Sequence, residues 1–136
     1  MYLWLLTITN IMKYVIAFLA LGLLFSCGKA EDKEKPNIEI LKPTGIDTFS
    51  VGVDSLPIVF KLSDNTGLSQ YSYVLKDSLD EKYEVGGKFI DGMNYEHKSF
   101  AKFGGFGGVL KLWLYVTVYD KAYNTRVTSK IFYVQP

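Results

Sequence analysis

The stretch Leu110-Lys111-Leu112-Trp113-Leu114-Tyr115-Val116-Thr117-Val118-Tyr119 sets the reading of the chain around it. Leu110, Leu112, Leu114, Val116 and Val118 recur at every second position, with Lys111, Trp113, Tyr115, Thr117 and Tyr119 between them. A strand turns successive side chains to opposite faces, so this alternation predicts one buried and one outward face. β-branched and aromatic residues fit such a pleated surface well.

The same period recurs outward from this segment. Thr125 to Val134 reads as a last strand after a turn over Asp120 to Asn124. Val127, Ile131 and Tyr133 on one face compete there with Phe132 and Val134 on the other, so the pattern leaves its inward face open. Upstream, Pro57 to Ser63 places Ile58, Phe60 and Leu62 on one face and Val59 and Lys61 on the other, before Asp64-Asn65-Thr66-Gly67 turns the chain. Leu68 to Lys76 follows, with Tyr71, Tyr73 and Leu75 alternating. Ile38, Ile40 and Leu41 make a short first strand ended by the turn cluster Lys42-Pro43-Thr44-Gly45, and Phe49 and Val51 suggest a brief edge piece. Between Asp77 and Phe106 the signal is weaker, with candidate strands near Lys82 to Val85 and across Tyr95 to Phe103.

After Pro36 no stretch sustains apolar residues at helical spacing over three turns, so helix is not expected in this part of the chain. About seven strands separated by turn signals predict an all-β, antiparallel β-sandwich. The length of 136 residues has room for one such domain, and 49% hydrophobic with 15% aromatic residues supplies a core for it. A single cysteine excludes an intramolecular disulfide, so packing alone must hold the fold. Basic residues number 15 and acidic 14, and Lys13 is the only charge before Cys27. That balance gives no electrostatic case for nucleic acid.

Tyr14 to Phe25 is an uninterrupted apolar run, preceded by Met12-Lys13 and followed by Ser26-Cys27. This is the layout of a secretory signal, with a positive start, a hydrophobic stretch short for a bilayer and a small residue before the cut. Leu24-Phe25-Ser26-Cys27 resembles a bacterial lipobox, with Phe25 bulkier than the usual pattern. The expected organisation is a signal peptide over residues 1–26 with Met12 as the true start, a lipidated N-terminus and linker over 27–36, and the sandwich over 37–136. An uncleaved membrane helix is the alternative, if Lys13 snorkels to an interface. The lone cysteine at the end of the apolar run favours lipid attachment, and two or three acyl chains hold a membrane stably where one does not. Gly28 to Pro36 is charge-dense and closed by proline, which predicts a solvated tether. Glu31-Asp32 behind Lys29 also resembles the signal that exports some lipoproteins to the outer face of the outer membrane; a periplasm-facing position is the other option.

Lys35-Pro36 with Ile38 and Ile40, Pro43, Asp47-Thr48-Phe49 with Val51-Gly52, Ser63-Asp64-Asn65 with Gly67-Leu68, and Val118-Tyr119-Asp120-Lys121-Ala122-Tyr123-Asn124 together resemble the immunoglobulin-like (Ig-like) domains of bacterial surface lipoproteins. In particular they are similar to an uncharacterised family of such domains with no assigned activity. The resemblance covers about Pro36 to Gln135 and thins between Asp77 and Gly108. Family members usually end the penultimate strand in Asp-x-Ala-Gly-Asn; Tyr123 stands where the glycine belongs, which implies a different turn. The middle segment in the family is often histidine-rich, and the single histidine here, His97, carries over no metal role.

Cys27 is the expected lipidation site. Asp64, Asn65, Asp120 and Asn124 lie in two loops that an Ig-like topology brings to one end of the sandwich, where their oxygens could hold Ca²⁺. Asp and Asn also make turns by bonding their own backbone, and that plainer reading stands beside the first. Trp113, Tyr115 and Tyr119 form an aromatic row of the kind that stacks on sugars or anchors protein partners, unless pairing across the sheet covers it. Phe103 to Gly108 lacks the ending of a phosphate loop and reads as a connector. His97 reads as a solvated strand residue with no nucleophile motif around it, and Asp77, Asp80 and Glu81 as turn residues. The sequence therefore predicts no catalysis and no obligate cofactor. It predicts an envelope module with a binding or structural role, contacting a membrane through lipid and a glycan or surface protein through its domain. An envelope hydrolase built around His97 and a structural spacer or assembly subunit are the alternatives.

Overall fold

The structure, a computed structural model, describes residues 31–44, 55–103 and 107–135. Cys27, the leader and the edge piece expected at Phe49 and Val51 lie outside the described residues. The strands are β1 (Asn37–Lys42), β2 (Leu56–Ser63), β3 (Leu68–Asp77), β4 (Lys82–Phe89), β5 (Asn94–Ala101), β6 (Leu110–Asp120) and β7 (Thr125–Val134). All pair antiparallel, in a three-stranded sheet of order β1-β2-β5 and a four-stranded sheet of order β4-β3-β6-β7. Among the described residues there is no helix. The described residues form an all-β, antiparallel β-sandwich.

The alternation of β6 works as its sequence dictates. Leu112, Leu114, Val116 and Val118 are fully buried, while Trp113, Tyr115, Thr117 and Tyr119 face outward and stay partly exposed. From the facing sheet β2 answers with Leu56, Ile58, Phe60 and Leu62, all essentially inaccessible to solvent. Burying each of these side chains contributes about 1.5–3 kcal/mol, and together they dominate the core.

Three regions depart from the sequence reading, and one that it left open is settled. β4 runs on to Phe89, because Gly86 leaves room for an aromatic ring: a Cβ there would stand 2.5 Å from Tyr73 Cε1. Tyr73 thus fills the space where an inward side chain of β4 would sit. β7 buries Phe132 and Val134 and exposes Val127, Ile131 and Tyr133, which settles the face that the pattern left open. Tyr123 adopts a φ of 66°, the left-handed backbone that a glycine suits, so a glycine-like turn persists where a different one was expected. His97 is not a solvated residue: only 9% exposed, it stacks on Phe60 with ring centroids 4.6 Å apart.

The compact unit also starts earlier than residue 37, at Asp32. Pro36 is buried, and Asp32 is held by side chains of two loops, so this part of the expected solvated tether belongs to the fold.

Candidate functional site

Two surfaces collect residues with chemistry to offer, and strand register explains the first. Opposed residues on antiparallel strands share a face. Trp113 is opposite Lys76 of β3 and Ile131 of β7, Tyr115 is opposite Val74 and Ser129, and Tyr119 is opposite Gln70 and Thr125. Farther out, Val85 pairs with Val74 and Phe89 with Gln70. The outer face of the four-stranded sheet thus carries the predicted aromatic row together with exposed Val85, Phe89, Val127, Ile131 and Tyr133. The Lys111 ammonium lies 4.9 Å from the Trp113 ring centroid and that of Lys76 5.1 Å from the Tyr115 centroid, each over the electron-rich face of the ring. Sequence reasoning found the row but not its flanks, because the open face of β7 and the weak pattern of β4 hid them.

The second surface lies where the β2–β3 and β6–β7 loops meet, joined by a bond from Lys121 N to Gly67 O of 2.8 Å. Asp64 closes its own turn: Oδ1 accepts from Thr66 N at 2.9 Å and from Gly67 N at 2.8 Å. Asp120, fully buried, accepts from Asn124 N on Oδ1 and from Asn124 Nδ2 on Oδ2, each at 2.8 Å. The residue that sequence reading missed is Asp32. Thr66 Oγ1 stands 2.6 Å from Asp32 Oδ2 and 2.9 Å from Asp64 Oδ1, so two carboxylates compete for the single proton of one hydroxyl. Asn124 Nδ2 also donates to the backbone oxygen of Asp32 at 2.9 Å.

Carboxylate oxygens of Asp32, Asp64 and Asp120 all lie within 4.8 Å of one another. The Thr66 hydroxyl, aided by the Glu34 amide, holds the Asp32 carboxyl below its ordinary pKa. The two asparagines donate through their side-chain amides. Asn65 Nδ2 donates to Glu34 Oε2 at 2.9 Å and the Asn124 amide braces Asp120 and Asp32, so both tie the segment preceding β1 to the loops. The plain turn-making role foreseen for Asp64 and Asp120 is thus present in full, and the acidic cluster comes in addition to it.

His97 belongs to a polar chain inside the sandwich. Its Nδ1 is 2.9 Å from the Tyr71 hydroxyl and its Nε2 is 2.8 Å from Ser99 Oγ, which in turn is 3.2 Å from the Tyr73 hydroxyl. Burial, with a smaller contribution from Lys88, pushes the imidazole pKa below its ordinary value. Burial likewise pushes the Tyr71 and Tyr73 hydroxyls up. Asp77 accepts from Leu79 N, Glu81 N and Tyr83 Oη, which makes it a turn brace, as its position suggested.

No family model matches the chain, and no curated protein matches it. The fold and the side chains above therefore carry the functional argument.

Proposed function

We propose that this chain is a lipid-anchored, non-catalytic module of the bacterial outer membrane whose Ig-like sandwich docks a protein partner on the outer face of its four-stranded sheet. The observation that carries the reading is the row Trp113, Tyr115 and Tyr119, set among exposed Val85, Phe89, Val127 and Ile131 on one continuous face. Exposed apolar area contributed by three strands, β4, β6 and β7, marks an interaction surface more often than scattered single residues do. Aromatic side chains give large contact area for few frozen torsions, which suits them as anchors. The aliphatic flanks favour a protein over a glycan, because sugar hydroxyls laid on valine and isoleucine lose water without gaining a partner.

The Ig-like part of the reading is supported by strand order. The arrangement β1-β2-β5 over β4-β3-β6-β7 matches the seven-strand immunoglobulin plan with the fourth strand moved to the second sheet. The lipid anchor is supported by the apolar run Tyr14 to Phe25 ending at the only cysteine. The non-catalytic reading is supported by the surroundings of His97. Ser99 is within reach of its Nε2, but the other ring nitrogen meets a tyrosine hydroxyl instead of the carboxylate that orients a base, and Phe60 covers the ring.

Affinity capture from envelope membranes, using full-length protein in detergent, tests the docking face. Trp113→Ala and Tyr115→Ala should each weaken capture of the partner by about tenfold or more while leaving the melting temperature nearly unchanged. Binding to a glycan array in place of a protein would overturn the choice of partner, and equal capture by both variants would remove the face from the proposal. Mass spectrometry of the mature N-terminus from the native host checks the anchor: an unmodified Cys27 thiol with the leader attached would refute it.

A further inference from the structure

We propose that Asp32, Asp64 and Asp120 form a calcium site that clasps the segment preceding β1 to the end of the sandwich, whatever the sheet face binds. Three carboxylates bring their oxygens within 4.8 Å of one another, and one of them, Asp120, is fully buried. Among the described residues no lysine, arginine or histidine forms an ion pair with any of the three. Lys121, next in sequence to Asp120, pairs with Asp91 instead at 2.5 Å. Like charges so close, one of them out of water, call for a compensating cation.

A second observation is independent of the clustering. Asp64 Oδ2 is buried with no hydrogen-bond partner, whereas Oδ1 of the same carboxylate accepts several bonds. A buried anionic oxygen left bare is costly, and native folds rarely keep one without an ion or water to satisfy it. The surrounding donors are all neutral, namely the Thr66 hydroxyl and the amides of Glu34, Thr66, Gly67 and Asn124, and they leave the charge in place.

The chemistry of the set selects the ion. Only carboxylate oxygens are gathered, with no imidazole or thiolate, which suits a hard cation. Oxygens bound to one calcium ion at about 2.4 Å can stand no more than about 4.8 Å apart, and the three carboxylate oxygens here lie within that limit of one another. Calcium tolerates an irregular shell of about six to eight oxygens, so backbone carbonyls and water can complete it at a loop end; magnesium demands a tighter octahedron. The three ligands come from the segment preceding β1, the β2–β3 turn and the β6–β7 turn, so one ion joins parts of the chain far apart in sequence.

Melting of the full chain in detergent, followed by circular dichroism after removal of metal with EDTA, tests the site. About 10 mM calcium chloride should raise the melting temperature by about 5 °C, reversibly, with magnesium giving less than half that shift. Asp32→Asn and Asp64→Asn should abolish the response. Both should melt in EDTA no lower than the unaltered chain, since each relieves repulsion and the side-chain amide introduced by Asp64→Asn keeps an oxygen for the turn bonds. Asp32→Asn lies outside the strands, so it reports on the site even if the other variant folds poorly. No calcium shift in the unaltered chain, an equal shift with magnesium, or a full shift in Asp32→Asn would each overturn the proposal.

Discussion

The inward faces of β6 and β5 fill one core from opposite sheets with different chemistry. β6 contributes Leu112, Leu114, Val116 and Val118, flanked on both sides by β3 and β7 and sealed from solvent. β5, an edge strand, contributes Tyr95, His97, Ser99 and Ala101, and only Ala101 is aliphatic. Polar groups survive there because each finds a partner: His97 meets Tyr71 and Ser99, and Tyr73 meets Ser99 and, at 3.4 Å, Glu84. The clustered rings of Phe60, Tyr71, Tyr73 and His97, stacked between Phe60 and His97 and edge-on or tilted elsewhere, supply the apolar contact that aliphatic side chains supply on β6. A central strand can thus be purely aliphatic, while an edge strand keeps a polar interior where hydroxyls and imidazole satisfy one another.

The sharpest way to break the comparison is on the aliphatic side. Leu114→Ala removes a fully buried side chain at the centre of the four-stranded sheet and should cost about 2–5 kcal/mol in urea denaturation. The aromatic side breaks by overfilling. Gly86→Ala sets a Cβ against the Tyr73 ring and should cost about 1–3 kcal/mol. Replacing Tyr73 by Leu in the same chain should return part of that loss, and simple additivity in the double-mutant cycle would show that ring and glycine do not share the space.

The smallest effect comes from protonating His97. Its pKa in the fold lies below the ordinary imidazole value, from burial first and Lys88 second, so the unfolded chain takes up the proton more readily. The neutral ring's contribution is fully present above the ordinary imidazole range and declines as pH falls through it toward the lower folded value. The groups facing the ring are Tyr71, Tyr73, Ser99 and Lys88. His97→Phe should therefore lose less stability than the unaltered chain between about pH 7.5 and pH 5 in parallel denaturation curves. Parallel losses would show that His97 is not the group responsible.

Legibility in the sequence follows the same divide. β2 and β6 could be read because their inward residues, apart from Asp120 at the end of β6, are apolar and the outward ones differ in kind. β5 hid its interior, since Tyr, His and Ser at alternate positions look like a wet face until facing tyrosines are known. β7 carries aliphatic residues on both faces because its outer side lies beside the aromatic row, with Ile131 opposite Trp113 and Val127 opposite Thr117. β4 was cut short at its glycines, and at Gly86 the missing side chain is supplied across the strand by Tyr73. At the loop end Asp64 and Asp120 stood out through their turn motifs. Asp32 lay in a charge run that reads as solvated, and only the folded path of the chain brings it within reach of the other two.

Asp32 also determines how the molecule bears a pull on its N-terminal side. Tension arriving there meets the grips of Thr66 and Asn124 on Asp32 before it reaches the β1–β2 ladder. That ladder begins at the same end, where Asn37 is opposite Ser63, and under direct traction it would open pair by pair like a zip. The two side-chain grips act as a strain relief, spreading the load into the β2–β3 and β6–β7 turns at once.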